Sequence, residues 1–413
     1  MRSWKVIWVV IILVILLDFY IFQVIKAVSQ GTSSRIRFTI FTFYWGLSIA
    51  ALVIFALLPF LNAQEWPKLK NYIFVTLLIF FFAKLLAAVF FLIDDIRRFI
   101  QWASGRLFFN NTDGSADGED ISRSAFLSWL GLGVGGAFFS SLVYGFTNKY
   151  KYEVRRISLH FDNLPASFRG LKIVQLSDIH SGSFGDKQAV IRGVDKVLQE
   201  QPDLILFTGD LVNDIATEMK DYKEVFSRLK APMGVFSTLG NHDYGDYLWW
   251  ETPALKKANL DHLKQIQADM GWRLLMNEHV ALEKGGEQIA LIGIENWSAK
   301  KRFPKYGKMS EAYAGVEKYP FKILMSHDPS HWDAEVRPHY PDIDLALAGH
   351  THGMQFGIEI PGIKWSPVQY VYKQWAGLYE EGRQKLYVNR GFGFIGYPGR
   401  VGIMPEITVI ELT

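Results

Sequence analysis

The chain contains no cysteine. Disulfides, thiolate nucleophiles and cysteine-ligated zinc are therefore excluded, and any metal must be held by His, Asp, Glu or Asn. That absence leaves the compartment open. Charge of one sign is also lacking. The 44 Lys and Arg residues nearly balance 41 Asp and Glu, the net charge is only +3, and no long basic run occurs. The electrostatic footprint of a nucleic-acid binder is missing, as are the common RNA-binding motifs. No Gly-x-Ser-x-Gly elbow is present, so nothing points to an activated serine.

What the sequence has instead is long apolar runs, confined to the part before about residue 146. Four of them, about Val6–Val24, Phe38–Leu61, Ile73–Ile93 and Phe126–Phe146, approach or exceed the roughly 20 residues that span a bilayer. Continuous apolarity of that length reads as membrane spans rather than buried core helices. No small-residue cleavage site follows the first run closely, so a removed signal peptide is a poor account of it. The fourth run is rich in glycine, at Gly131, Gly133, Gly135 and Gly136. Lys26, Arg35 and Arg37 in the first loop and Arg97, Arg98, Arg106 and Arg123 in the third mark those loops as cytoplasmic. Arg2, Lys5, Lys68 and Lys70 lie on the other side. This orientation puts the C-terminal domain outside the cytoplasm, although Lys149, Lys151, Arg155 and Arg156 count the other way. The stretch SRSAFLSWLGLGVGGAFF, from Ser122, resembles a twin-arginine export signal with Ser124 at the second arginine position. Asp18 and Lys84 fall at similar depth in spans one and three, which predicts an ion pair, with snorkelling to the interface as the alternative. The acidic segment Thr112–Asp120 is assigned no chemistry.

From Lys151 onward the pattern is that of an α/β domain: apolar strand-like runs, turns, and helical stretches at Lys187–Gln201, Thr217–Lys230 and Pro253–Met270. RRISLHF alternates as a strand. Five further runs share one form. LKIVQLS leads to Asp178 and His180, DLILFTG to Asp210, GVFSTLG to Asn241-His242-Asp243, FKILMS to His327-Asp328, and IDLALAG to His350-Thr351-His352. In open α/β sheets, sites collect beyond the carboxyl ends of strands. A lone His-x-His turn would mean little, but half of the ten histidines occur in these five turns. Their carboxylate, imidazole and amide donors could together hold two divalent metals. Asp178 and His180 can both point past one strand end. Gly209 and Gly240 permit the tight backbone that delivers a short ligand. His350 and His352 could face different ions. His242 is open to two readings, ligand or outer-sphere acid.

The series D-x-H, G-D, G-N-H-D, a lone H and G-H-T-H, over about residues 170–355, resembles the calcineurin-like metallophosphoesterase superfamily. The tail LYVNRGFGFIGYPGRVGIMPEITVIEL is similar to a membrane-anchored branch related to UDP-2,3-diacylglucosamine pyrophosphatase-like and cell-wall-associated phosphoesterases. Gly353-Met354-Gln355 departs from the Gly-Gly-Gln of that branch on the pocket side. The resemblance implies a four-layer αββα sandwich with two facing mixed sheets, at 149–413, and the apolar runs put a four-helix transmembrane region at 1–148 before it. It implies that Asp178, His180, Asp210 and His352 hold one metal. Asp210 would bridge to a second, completed by Asn241, His327 and His350, with His242 as the catalytic histidine.

Two divalent ions, of Mn, Fe, Zn or Co, would then clamp an in-line displacement at phosphorus, with a metal-bridging hydroxide as attacking group. His242, oriented by Asp243, would protonate the leaving oxygen or stabilise its developing charge. Arg390 and Arg400 could bind substrate phosphate or serve structural ion pairs. Tyr244, Tyr247, Trp249 and Trp250 could line the site, meet the bilayer or pack in the core. The expected protein is an integral membrane phosphohydrolase with an extracytoplasmic catalytic domain. It would cleave a phosphodiester or pyrophosphate bond, of a lipid-linked or cell-envelope substrate. The competing readings are a metal-stabilised, non-catalytic binding domain on a membrane anchor, and a transporter or channel regulated by its soluble domain.

Overall fold

The computed structural model describes residues 2–62, 66–108 and 124–413. Thr112–Asp120 and Arg123 lie outside the described residues. The chain divides into two compact units, Met1–Tyr144 and Gly145–Thr413.

The first unit is built from α1 (Arg2–Val28), α2 (Ser34–Leu57), α3 (Pro67–Phe108) and most of α4 (Ala125–Gly145). All four are long and apolar enough to cross a membrane. The third outruns its expected span. Its 42 residues extend about 63 Å at about 1.5 Å per residue, twice a hydrocarbon core of about 30 Å. The extension stays helical because its charges pair along one turn: Arg97 reaches Asp94 at 3.0 Å and Arg98 reaches Asp95 at 3.2 Å. The glycines of α4 divide by role. A Cβ on Gly131 or Gly135 would strike Ala87 or Ala83 backbone of α3, whereas Gly133 and Gly136 face open space. Small residues four apart let the two helices approach closely.

Asp18 and Lys84 do pair, both buried. Ser48 Oγ accepts from Lys84 Nζ at 2.9 Å and donates to Asp18 Oδ1 at 3.1 Å, and Tyr44 Oη donates to the same carboxylate oxygen at 3.1 Å. Removing one partner strands the other. Lys84→Leu is therefore expected to destabilise this unit by about 3–5 kcal/mol, read as a drop in thermal unfolding temperature in detergent. Adding Asp18→Asn should restore part of it.

The second unit begins with β1 (Glu153–Leu159), β2 (Lys172–Leu176), α5 (Lys187–Gln199), β3 (Leu204–Phe207), α6 (Lys223–Phe226), β4 (Val235–Ser237), α7 (Pro253–Asp269) and β5 (Trp272–Leu274). It continues through β6 (Glu278–Lys284), β7 (Glu287–Gly293), α8 (Met309–Tyr313), β8 (Lys322–Met325) and β9 (Leu345–Ala348). The hairpin β10 (Ile358–Ile360) and β11 (Ile363–Trp365) follows, then β12 (Gly377–Glu381), β13 (Gln384–Val388) and β14 (Glu406–Leu412). One six-stranded sheet has the order β1-β14-β2-β3-β4-β5, the other β12-β13-β9-β8-β7-β6. Both are mixed: β2, β3, β4 and β5 run parallel with β14 antiparallel beside them, and β13, β9, β8 and β7 run parallel between antiparallel β12 and β6.

Alternation along the strands makes three apolar layers. Ile173, Leu204 and Leu206 of the first sheet meet Ile323, Leu345 and Leu347 of the second in one inner core. Val174, Leu176 and Phe207 face outward to Val190, Val194 and Val197 of α5 and to Leu263 and Ile266 of α7. Ile292, Leu324 and Ala346 face Met309 and Ala312 of α8 and Trp332. This is the αββα sandwich. The helix expected at Thr217–Lys230 shrinks to a 3-10 stretch, Ala216–Asp221, and the single turn of α6. The Glu218 carboxylate is engaged elsewhere. It accepts the backbone N–H of Asn213 at 2.6 Å, Asp214 at 3.1 Å, Ile215 at 3.2 Å and Gly182 at 3.1 Å, which holds the preceding loop as a loop.

Candidate metal centre

All five turns that carry the candidate ligands leave the carboxyl ends of parallel strands: β2, β3 and β4 in one sheet, β8 and β9 in the other. They are short and cross-tied. Asp178 N–H donates to Gly209 O at 2.9 Å, His180 N–H to Asp210 O at 3.1 Å, and Gly349 N–H to His327 O at 2.9 Å. Gly209 adopts φ +97° and is packed against the Gly240 backbone, where a side chain has no room. Gly349 lies so close to Ser177 and the Asp178 carboxylate that a Cβ there would displace the ligand. The candidate ligand residues themselves are strained. Asp178, His180, Asp210, His350 and His352 all have φ between 49° and 71°, the left-handed region that L residues with side chains avoid. Such strain persists where the surrounding structure over-determines it and clusters at functional sites.

The side chains converge as two groups. Asp178, His180 and His352 offer ligand atoms within 4.8 Å of one another, as do Asp210, His327 and His350. In the first, His180 Nε2 and His352 Nε2 face each other at 3.1 Å, and His352 Nε2 is 3.2 Å from Asp178 Oδ1. In the second, His327 Nε2 is 3.1 Å from Asp210 Oδ2. The same oxygen lies 3.6 Å from His180 Nε2, so Asp210 presents Oδ2 to both groups. Its other oxygen accepts the backbone N–H of His242 at 2.8 Å. Burial works against ionisation of both carboxyls. Nevertheless His352 and His327 hold Asp178 below the usual carboxylate range, and His327 and His242 do the same for Asp210.

The donor set fits divalent cations. His327 Nδ1 donates to Thr208 O at 2.7 Å, which turns Nε2 toward Asp210 as the ring nitrogen a cation would take. Asn241 Nδ2 donates to Tyr247 Oη at 2.8 Å, while its Oδ1 is buried without a partner. Orphaned buried acceptors of this kind are costly, and a cation satisfies them. His350 Nε2 meets Tyr372 Oη at 2.8 Å, and Tyr372 Oη in turn meets Asp328 Oδ2 at 3.3 Å. That chain leaves Nδ1 of His350 as the ring nitrogen available to an ion. Tyr372→Phe removes the orienting hydroxyl. It should weaken metal affinity of the second group by about 10–100-fold, measured by competition with a fluorescent chelator.

His242 stands beside both groups. Its ring centroid is 5.0 Å from that of His180, and its Nδ1 lies 2.7 Å from Asn213 O. The carbonyl can only accept, so Nδ1 carries a proton and Nε2 is the free end. The expected partner, Asp243, does not touch this ring. Its buried carboxylate instead takes the backbone N–H of Gly240 at 2.8 Å, Asp210 at 2.9 Å, Leu211 at 2.8 Å and Val212 at 3.3 Å. Burial, with the charge of Asp210 adding to it, pushes that carboxyl up to about 7.

Neither tail arginine presents a free guanidinium. Arg390 is buried between Glu359, at 2.6 Å, and Glu406. Arg400 is wholly buried and donates to the main-chain oxygens of Arg390 at 2.7 Å, Gly391 at 3.2 Å, His352 at 3.3 Å and Gly393. With no carboxylate against it, burial lowers it to about 9. The aromatic cluster after His242 separates by role. Tyr244 is buried and stacked on Tyr306, Trp250 Nε1 donates to Gly245 O at 2.7 Å, Tyr247 holds Asn241, and Trp249 is exposed.

Residues 171–354 match the family model described as Calcineurin-like phosphoesterase. Residues 1–149 match one described as Probable Calcineurin-like phosphoesterase, transmembrane domain. A Danio rerio protein named "Transmembrane protein with metallophosphoesterase domain" is 30% identical over 278 residues, 65% of this chain and 60% of its own length. "Uncharacterized metallophosphoesterase YkuE" of Bacillus subtilis (strain 168) is 29% identical over 303 residues, 71% of this chain and 98% of its own. "Phosphodiesterase YaeI" of Escherichia coli (strain K12) is 29% identical over 246 residues, 58% of this chain and 82% of its own. The matched stretch thus spans less than two thirds of the Danio rerio relative. The chain belongs to the calcineurin-like metallophosphoesterase superfamily, in the form that carries a four-helix transmembrane region.

Proposed function

We propose that this membrane-anchored metallophosphoesterase hydrolyses a phosphodiester or pyrophosphate bond of a lipid-linked or cell-envelope substrate. The observation that carries the reading is Asp210 Oδ2, shared between His180 at 3.6 Å and His327 at 3.1 Å. That is the placement a carboxylate needs to join two cations. Asp178, His180, Asp210 and His352 would hold one ion, and Asp210, Asn241, His327 and His350 the other. Nitrogen and oxygen donors suit Mn, Fe, Zn or Co. When bound, two such ions supply Lewis-acid charge for both oxygens of an in-line displacement and lower the pKa of the attacking water. The protein's own part is a proton. His242, anchored through Nδ1 to Asn213 O, holds one at Nε2 for the leaving oxygen. The name of the Escherichia coli relative supports diester chemistry, and the likeness of the tail to UDP-2,3-diacylglucosamine pyrophosphatase-like proteins supports a lipid-linked substrate. The catalytic domain, from residue 149, lies on the extracytoplasmic side according to the loop charges.

The test uses the full chain in lipid nanodiscs, loaded with Mn²⁺ and given a chromogenic phosphate monoester and diester in turn. Hydrolysis of the diester, lost in Asp210→Asn, is expected. Bound metal without hydrolysis of either compound would favour a binding domain instead. In intact cells, a C-terminal tag should react with an impermeant label. Labelling only after the membrane is broken would reverse the orientation.

A further inference from the structure

The hairpin of β10 and β11 is built inside out. Ile358 pairs with Trp365, Glu359 with Lys364 and Ile360 with Ile363. Alternation therefore puts Ile358, Ile360, Ile363 and Trp365 on one face and the two charged residues on the other. Glu359 turns into the domain, and Lys364, itself exposed, reaches back to it with its ammonium. Glu359 receives Arg390 Nη2 at 2.6 Å and Arg155 Nη2 at 2.9 Å, and Lys364 Nζ donates to Ala376 O while lying 4.9 Å from the Trp375 ring centroid. The three isoleucines are left in the open, each about half exposed. A hairpin that served only to cap the domain would take the opposite register, because a one-residue shift exchanges the faces.

The open face does not stop at the hairpin. Trp365 Nε1 donates to Tyr370 Oη at 3.4 Å, and Tyr370 and Val371 are both exposed. The next residue, Tyr372, is the one that meets His350. Met354, two residues after His352, is also exposed, although its φ of +55° is strained for a residue with a side chain. Contiguous exposed apolar surface of this kind marks an interaction site.

The covalent chain says what covers it. Gly145, the last residue of α4, accepts the backbone N–H of Arg400 at 2.9 Å, and Asn148 Nδ2 donates to Arg400 O at 3.1 Å. The neighbouring Val401 donates to Gln355 O at 2.9 Å and accepts from Gly357 N–H at 2.9 Å. Gly357 leads directly into Ile358. The point where the chain leaves the membrane-crossing helix and the start of the apolar face are thus joined through two residues. On the far side of Tyr372 lies a basic loop. Lys300 Nζ is 5.4 Å from the Tyr372 ring centroid, and Phe303 packs on His350 with centroids 4.7 Å apart. Lys300, Lys301 and Arg302 have no carboxylate partner among the described residues. An apolar face bordered by unpaired cations matches the chemistry of an anionic leaflet.

We propose that the face formed by Ile358, Ile360, Ile363, Tyr370 and Val371 lies in the headgroup–acyl boundary of the bilayer that holds this chain's own helices. The His350–Tyr372 edge of the metal centre then opens at the lipid surface, and a phosphate-bearing lipid reaches it without leaving the membrane plane. The docking itself rests on the membrane anchor and not on which bond is hydrolysed.

The absence of cysteine makes the test direct. Single Ile360→Cys and Ile363→Cys proteins are labelled with a nitrobenzoxadiazole fluorophore and placed, as the full chain, in nanodiscs of phosphatidylcholine and phosphatidylglycerol. Glu283→Cys is the reference, because it lies at the β6–β7 turn, at the ends of those strands away from the ligand turns. Replacing part of the phosphatidylcholine by its doxyl-labelled form should quench positions 360 and 363 several-fold more strongly than position 283. Equal, weak quenching at all three would overturn the proposal. So would disulfide-linked dimers of unlabelled Ile360→Cys at the expense of quenching, which would assign the face to a second copy. Neither readout depends on hydrolysis, so failure of the phosphoesterase reading would leave the result interpretable.

Discussion

In the Asp210→Asn protein, hydrolysis is expected to fall by about 10³-fold or more and metal to be lost from both groups at once. The substitution is nearly isosteric, so its effect isolates charge. Asp210 Oδ1 is already committed to the backbone N–H of His242, and Oδ2 alone faces His180 and His327. An amide in that place can keep only one of these roles. If its oxygen takes the His242 N–H, its NH₂ points donors at the space the proposed cations would take. If it turns over, the donors meet the His242 N–H, and the loop that carries Asn241 loses its tie. Either way a formal negative charge disappears from between the two groups, where burial leaves little solvent to compensate. Elemental analysis of the purified protein should show both ions depleted in parallel. Loss of one ion with retention of the other would mean that Asp210 belongs to a single group. The sites would then be independent, and the shared-oxygen geometry would have no catalytic meaning.

The difference between what could and could not be read in advance follows from the same residues. LKIVQLS, DLILFTG and IDLALAG are legible because a strand buried on both faces is a continuous apolar run, and the polar residues that end such a run have one place to go. The membrane spans are legible for the same reason of length. The orienting contacts carry no such signature. Asn213 acts on His242 through its main-chain oxygen, which any residue would supply. Glu218 acts on Asn213 through backbone N–H groups, in a segment whose apolar spacing suggested a helix. Tyr372 belongs to no motif and reaches His350 only because the chain after β11 folds back. Arg390 and Arg400 leave two readings open in the sequence, phosphate binding or a structural role, and only the fold chooses: Arg390 is committed to Glu359 and Glu406, and Arg400 to main-chain oxygens. The hairpin's alternation was visible as I-E-I and I-K-W, but nothing local says which face turns inward. That is decided by Arg155, Arg390 and Trp375, distant in sequence.

His242→Ala should separate chemistry from metal binding. Turnover is expected to drop by about 10²–10⁴-fold, the usual worth of a positioned acid, with metal content and substrate KM close to those of the parent. The reason lies in how the ring is held. Asn213 O fixes Nδ1 at 2.7 Å, and the loop that bears this carbonyl is fastened to Glu218 by three N–H bonds, from Asn213, Asp214 and Ile215. The tie between His242 and Asp210 runs through the backbone N–H, which alanine keeps. Truncation therefore empties the position of Nε2 without disturbing the carboxylate between the two groups. A diester with a good leaving group, which needs no proton, should be the less affected substrate; a poor leaving group should show the full loss. Equal losses on both, together with a missing ion, would make His242 a ligand and transfer the acid role to another group.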